Sequence, residues 1–225
     1  MILNGISLKG AYHERNQDGY IYKRLRNNGF IITVSDGLGS KLHSHIGARK
    51  LCYTAYKIVK ELGNKLSKIL PLKLVEKIHK RWIKVISSNG VDVQECSATM
   101  LILVVFKNRA IAIRLGDGFI ALSYDNSVKV LFDKKEDNFA NETYCLSSHL
   151  YLEEIEFFDV KFESFVGAVL CTDGLMMQDD SYEEFTKDFL NEYRGRKRNI
   201  AKNEIYKWLK DWTGSDDKTL AYCVY

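Results

Sequence analysis

Apolar residues change their period several times along this chain. Residues 2–9, 19–25 and 30–34 read as strands, with Asn27-Asn28-Gly29 as the turn that joins the last two. From 44 to about 66 the period lengthens: Ile46, Ala48, Leu51, Ala55, Ile58, Val59 and Leu62 recur every three or four residues, the mark of a helix with one buried stripe. A second helix begins at Pro71, a good first-turn residue, and carries Leu74, Val75, Ile78, Trp82, Ile83 and Ile86 on one face. Short apolar runs then return at 98–106, 110–115, 119–124 and 127–132, separated by turns such as Lys107-Asn108, Asp117-Gly118 and Asp125-Asn126. Two more strands are expected at 153–160 and 165–172, helices at 181–193 and 200–212, and a closing strand at 219–225.

Strands and helices in this order do not alternate as a doubly wound fold requires, and the tight spacing of the middle runs favours antiparallel neighbours. An α+β architecture with helices packed on sheets is therefore expected. The first helix should lay Ile46, Leu51, Ala55 and Ile58 on one sheet, and the helix bearing Trp208 and Trp212 should cover another, because a single helical layer would leave a sheet face bare.

With 225 residues, 46% of them hydrophobic and one proline, the chain can bury roughly two thirds of its extended surface. No linker or repeat divides it, so one domain over 1–225 is expected. The net charge of +4 is spread over mixed signs, and the densest basic run is only Arg194-Gly195-Arg196-Lys197-Arg198, which argues against a nucleic-acid partner. Five cysteines, an odd number without a C-x-x-C pair, suit free thiols in a reducing compartment. Residues 1–8 lack a basic leader, and no apolar stretch approaches a bilayer span. A cytoplasmic protein without a membrane partner is the expectation.

Chemistry enters with the acidic residues. Three apolar runs end in Asp-Gly, at Asp36-Gly37, Asp117-Gly118 and Asp173-Gly174, and Asp216-Asp217 precedes the terminal strand. Strand ends can gather such residues on one rim, where carboxylates repel one another unless a cation neutralises them. Hard divalent cations prefer such oxygen ligands, and glycine after the aspartate lets the backbone turn and offer its own carbonyl. Zinc finds no support, because the five histidines and the cysteines show no ligand spacing. His43 and His45 read as polar residues around a helix cap at Ser40 or Ser44. Nucleophile-elbow and phosphate-loop motifs are absent, and carboxylates near Cys171 should raise that thiol's pKa.

The succession Asn16-Gln17-Asp18, the run from Val34 through Asp36-Gly37 to Ser40 with 44–48, Ser97-Ala98-Thr99, Gly116-Asp117-Gly118, Cys171-Thr172-Asp173-Gly174-Leu175 and Asp216-Asp217-Lys218-Thr219 resembles the PP2C family of metal-dependent serine/threonine phosphatases, especially its compact bacterial branch. The resemblance covers nearly the whole chain. It implies a four-layer α-β-β-α sandwich with two central, mostly antiparallel sheets and a centre of two Mg²⁺ or Mn²⁺ ions at one end. By the family's pattern Asp36 bridges the metals, Gly37 gives a carbonyl, and Asp173 and Asp216 complete the ligands. The acidic pair near the N-terminus maps to Gln17 and Asp18, and Asp18 joins Asp36 and His13 as catalytic. Asp117, Asp179 and Asp180, with Gln17 and Asp18, are candidates for a third, weaker metal or for the surroundings of the first two.

The implied activity is hydrolysis of phosphoserine and phosphothreonine in proteins by a metal-activated water, in bacterial signalling, with a phosphorylated protein as substrate and a cognate serine/threonine kinase as partner. Two departures from the family's pattern stand out. His13 occupies the place of an arginine that binds substrate phosphate, with Arg15 nearby as a substitute, and Gln17 stands where many relatives have glutamate. They motivate an alternative, a weak or inactive pseudophosphatase that binds a phosphoprotein or kinase.

Overall fold

The computed structural model describes residues 1–26, 28–132, 144–177 and 181–225. In chain order, β1 (Ile2–Leu8), β2 (Gly19–Arg24) and β3 (Phe30–Ser35) lead into helices α1 (Ser44–Leu62) and α2 (Pro71–Ser88). Strands β4 (Met100–Phe106), β5 (Arg109–Leu115), β6 (Phe119–Tyr124) and β7 (Ser127–Leu131) follow. Then come β8 (Glu156–Lys161), β9 (Phe165–Cys171), α3 (Tyr182–Tyr193), α4 (Arg198–Asp211) and β10 (Lys218–Val224). The strands form two five-stranded sheets, ordered β1-β10-β9-β6-β7 and β2-β3-β4-β5-β8, with antiparallel pairing throughout.

Three apolar clusters bind the layers together, and the pleat of β4 shows how. Met100, Ile102, Val104 and Phe106 point to one side, onto Leu51, Ala55 and Ile58 of α1 and Leu74, Ile78 and Trp82 of α2. Leu101, Leu103 and Val105 point to the other, between the sheets, against Ile120, Leu122, Leu170 and Ala221. The first sheet's outer face, with Phe119, Val169 and Tyr222, packs on Phe189 and Leu190 of α3 and Ala201, Ile205 and Leu209 of α4. The result is the four-layer α-β-β-α sandwich, with Trp208 and Trp212 packed at the edge of the last cluster. Strands covered on both faces lose the polar alternation of a half-exposed sheet, and β4 is accordingly an unbroken apolar run.

Several boundaries differ from the sequence expectation. The first helix ends at Leu62 because Gly63 adopts φ +49°; a 3-10 turn over Gly63–Ser67 then carries Leu66 into the core. Neither Ser40 nor Ser44 caps that helix: His43 occupies the cap without a side-chain bond, and Ser44 is the first helical residue. Part of the expected strand at 153–160 is a 3-10 turn, Leu152–Glu154. Strand β8 joins β5, whereas β9 lies in the opposite sheet between β10 and β6. Of the turn at 27–29, Asn27 lies outside the described residues; Asn28 takes the left-handed conformation at φ 58°. No helix among the described residues is long and apolar enough to cross a membrane.

Candidate active site

The two sheets deliver acidic residues to the same end of the sandwich. Asp18 precedes β2 and Asp36 follows β3, where Gly19 pairs with Ser35, so one sheet brings these two side by side. The other sheet contributes Asp173, just past β9, and Asp216, just before β10; here Thr172 N–H donates to Thr219 C=O at 3.0 Å. Asp117 sits in the β5–β6 turn, where Gly116 and Gly118 take φ of 87° and 91°.

Backbone bonds fix this rim. Asp36 N–H donates to Thr99 Oγ1 at 2.9 Å and its carbonyl accepts from Thr99 N–H at 2.8 Å, while Ser35 Oγ donates to Thr99 C=O at 2.6 Å. Leu38 N–H reaches Ser97 C=O at 3.0 Å, so the 97–99 segment holds the Asp36-Gly37 loop from one side. On the other side the loop is crowded: a Cβ on Gly37 would lie 2.7 Å from the Ser44 backbone and 2.9 Å from Gln17 C=O. A Cβ on Gly174 would meet Asp217 C=O at 2.0 Å, so only glycine lets the Asp173 turn approach Asp216-Asp217. Arg114 was not singled out from sequence. It donates to Gly116 C=O at 2.6 Å and pairs with Glu156 at 2.6 Å, bracing the turn that carries Asp117.

Neighbouring Asp216 and Asp217 have different surroundings. Asp217 is buried; its carboxylate accepts from Gly10 N–H at 2.7 Å and Gln17 N–H at 2.6 Å, and faces His13 Nδ1 at 3.2 Å. Asp216 is half-exposed, accepts from Asp217 N–H at 2.7 Å, and lies 3.5 Å from His13 Nδ1. His13 and this acidic pair bring ligand atoms within 4.8 Å of one another, a cluster that could hold one cation. Because backbone amides already occupy Asp217, Asp216 has the freer oxygens of the two. The segment from Gly10 to Asp18 is a loop pinned by Asp217. Arg15 reaches away to His45 Nε2 at 3.3 Å, on the first turn of α1.

The electrostatics are those of a site short of positive charge. Burial pushes Asp18 up to about 7, against the nearby side chains of Thr219, Asp36 and Thr172, which favour its charged form. Asp36 is raised well above the ordinary carboxylate range, first by burial and then by the charges of Asp18, Asp173 and Asp216. Asp173 rises to about 6 through burial and the nearby Asp216 and Asp117. Asp18 Oδ2 accepts from Thr172 Oγ1 at 3.1 Å, but its buried Oδ1 has no donor, and neither has buried Gln17 Oε1. Orphaned oxygens among mutually repelling carboxylates fit the donor set of a hard divalent cation. Gln17 Oε1 and His13 Nε2 both turn toward Gly39, each 3.8 Å from where a Cβ on that glycine would sit.

The structure thus gathers Asp18, Asp36, Asp173 and Asp216, with Asp117, Gln17 and His13 at the margin; Asp179 and Asp180 lie outside the described residues. For Cys171 the upward direction is as expected but the cause is burial alone. Thiols that do feel the site's carboxylates are Cys145, pushed up to about 12 by burial and then by Asp36 and Asp117, and Cys52, where Asp18 adds to burial. Thr172 also gains a role, for its Oγ1 both donates to Asp18 and accepts from Thr219 N–H at 3.0 Å. A cavity of about 1020 Å³ lies at the other end of β2, lined by Arg24, Arg26, Lys57 and Lys60. A cavity of about 720 Å³ adjoins Asp173 and Asp216.

Residues 10–212 match the family model described as Protein phosphatase 2C. The fold is similar to a bacterial serine phosphatase at a TM-score of 0.72 and 10% identity, covering 100% of this chain and 98% of that one. It is also similar to the serine/threonine phosphatase Stp1 from Staphylococcus aureus, at a TM-score of 0.70 and 10% identity over 100% and 95% of the two chains. The catalytic domain of the serine threonine protein phosphatase PstP, in complex with 2 manganese ions, gives a TM-score of 0.64 and 15% identity over 98% and 97%. No curated protein sequence matches the chain.

Proposed function

This chain belongs to the protein phosphatase 2C family, and from that membership we propose that residues 1–225 act as one catalytic domain hydrolysing phosphoserine and phosphothreonine in proteins. The observation that carries the reading is that Asp36 lies within electrostatic reach of Asp18 on its own sheet and of Asp173 and Asp216 from the other, beside a buried Asp18 oxygen that lacks a donor. Asp36, the Gly37 carbonyl, Asp173 and Asp216 would hold two Mg²⁺ or Mn²⁺ ions, with Asp117 beside Asp173 as the candidate for a third, weaker one. Such cations supply a nucleophilic water at neutral pH and neutralise a phosphoryl group.

The protein's own groups do the positioning. The Thr99 bonds fix Asp36, Thr172 fixes Asp18, and Asp217 holds Nδ1 of His13 so that Nε2 remains to meet a phosphate oxygen or the leaving oxygen. One imidazole donor replaces the bidentate fork of an arginine, so His13 would bind phosphate as a single point of contact. Arg15, drawn toward His45, is the weaker candidate for that task. The substrate would be a protein phosphorylated by a serine/threonine kinase, and buried cysteines that form no disulfide among the described residues suit the reducing cytoplasm.

The deciding experiment is phosphate release from a phosphothreonine peptide with Mn²⁺ or Mg²⁺, against EDTA and against Asp36→Asn. Metal-dependent turnover lost in the variant is expected. Phosphopeptide binding without turnover at any metal concentration would refute catalysis and favour the pseudophosphatase.

A further inference from the structure

Beside the acidic centre the surface continues into a second recess. The 720 Å³ cavity at Asp173 and Asp216 runs along Met176 and Met177 to Asp211 and Trp212. Asp211 and Trp212 also wall a groove of about 480 Å³ between α3 and α4, so the two spaces share a side. The floor of that groove is a row of touching rings. Trp212 lies 5.8 Å from Trp208, Trp208 6.4 Å from Phe185, Phe185 5.9 Å from Phe189, and Phe189 4.9 Å from Tyr193. Trp208 Nε1 donates to Tyr193 Oη at 3.2 Å, which fixes the indole in place.

The rim of this groove has one sign. Asp188, Glu192 and Asp211 line it, and no lysine or arginine among the described residues does. Glu192 is engaged by Arg196 at 2.7 Å, whereas Asp188 and Asp211, both exposed, have no ion-pair partner among the described residues. Aromatic faces under unpaired carboxylates attract a side chain with an apolar stem and a cationic head: the stem lies on the rings, and the charge meets both the ring quadrupoles and the acids.

We propose that this groove receives a lysine or arginine of the phosphoprotein substrate, at a position flanking the phosphorylated residue, so that the enzyme prefers phosphosites in basic sequence. The proposal rests on the phosphatase reading and gives it a substrate class. Charge complementarity selects the occupant, and the shared wall of Asp211 and Trp212 connects it to the acidic centre.

The test uses phosphothreonine peptides that carry lysine, alanine or glutamate at successive flanking positions, with kcat/KM measured at saturating Mn²⁺. At one position lysine should exceed glutamate by about fivefold to tenfold, the scale of one cation–π contact joined to exposed charge pairing. In Asp188→Asn and in Trp212→Leu that ratio should fall toward unity. A second arm is independent of turnover: an unphosphorylated lysine peptide, added to the metal-free protein in EDTA, should change tryptophan fluorescence, and salt should weaken the effect. Equal efficiency across the peptide series overturns the proposal while leaving the phosphatase reading intact. A fluorescence response without any preference in turnover also overturns it, since the groove would then serve a separate basic partner. Absence of turnover for every phosphoester refutes the phosphatase reading, and this inference with it.

Discussion

Replacing Asp36 with asparagine should stabilise the metal-free protein while abolishing turnover. In the fold Asp36 is held well above its ordinary value of 3.8, first by burial and then by the charges of Asp18, Asp173 and Asp216. With a raised folded value, the native state binds more protons than the unfolded chain once the pH exceeds about 4, so stability falls as pH rises, by about 1.4 kcal/mol per pH unit for one proton. From 3.8 to pH 7 this amounts to about 4 kcal/mol as an upper bound. Asp36 keeps part of its surface at the open rim, so the gain falls below that bound. Asparagine presents an N–H to Asp18 without taking up a proton and escapes the penalty. Thermal unfolding in EDTA should therefore show Asp36→Asn melting several degrees above the parent at pH 7, with the gap closing near pH 4.5. Added Mn²⁺ should raise the parent's Tm and leave the variant's nearly unmoved. Equal or lower stability of the variant at pH 7, or a gap of the same size at pH 4.5, would refute the reasoning.

Three further outcomes are expected. Thr172→Val removes both the donor to Asp18 Oδ2 and the acceptor for Thr219 N–H; it should cost about 1–3 kcal/mol in urea unfolding and raise the Mn²⁺ concentration for half-maximal activity, and an unchanged metal midpoint would count against the role given to Thr172. His13→Gln should raise KM for a phosphopeptide several-fold with a smaller change in kcat, and Asp217→Asn should reproduce part of the effect by releasing the imidazole; unchanged constants in both variants would remove His13 from phosphate binding. Leu51→Ala, at a fully buried position between α1 and its sheet, should lower stability by about 2–4 kcal/mol, and a loss below about 1 kcal/mol would mean that the helix does not rely on that contact.

Much of the fold is legible because burial on two faces leaves a plain trace. The unbroken apolar run of β4 and the threefold and fourfold spacing of α1 and α2 follow directly from the layers they occupy. Sheet membership is not legible in the same way. Strands β8 and β9 are neighbours in sequence, but which partner each takes depends on surfaces formed by distant segments. The acidic rim shows the same division. Each Asp-Gly can be seen as a strand end, whereas the different surroundings of Asp216 and Asp217 depend on the amides of Gly10 and Gln17, some two hundred residues away. Arg114 left no local signal, because its partners Gly116 and Glu156 come from a turn and from a neighbouring strand.

The sheet orders also set an order of assembly. All five strands of β2-β3-β4-β5-β8 have been made once residue 161 leaves the ribosome, and the helices that cover their outer face precede β4. The other sheet can pair its β9-β6-β7 part early but stays incomplete, because β10 lies inside it, between β1 and β9. Until β10 arrives, the part of the inner face that packs on its Ala221 and Cys223 is uncovered, and β1 has no neighbour to pair with. Such an intermediate is prone to stick to copies of itself, and closing a loop of this length makes the final step slow. Asp36 arrives with the early half, and Asp216 only with the last strand. A divalent ion held between them would therefore clasp the two halves together after docking, making the nascent enzyme's escape from aggregation sensitive to the metal supply of the cell.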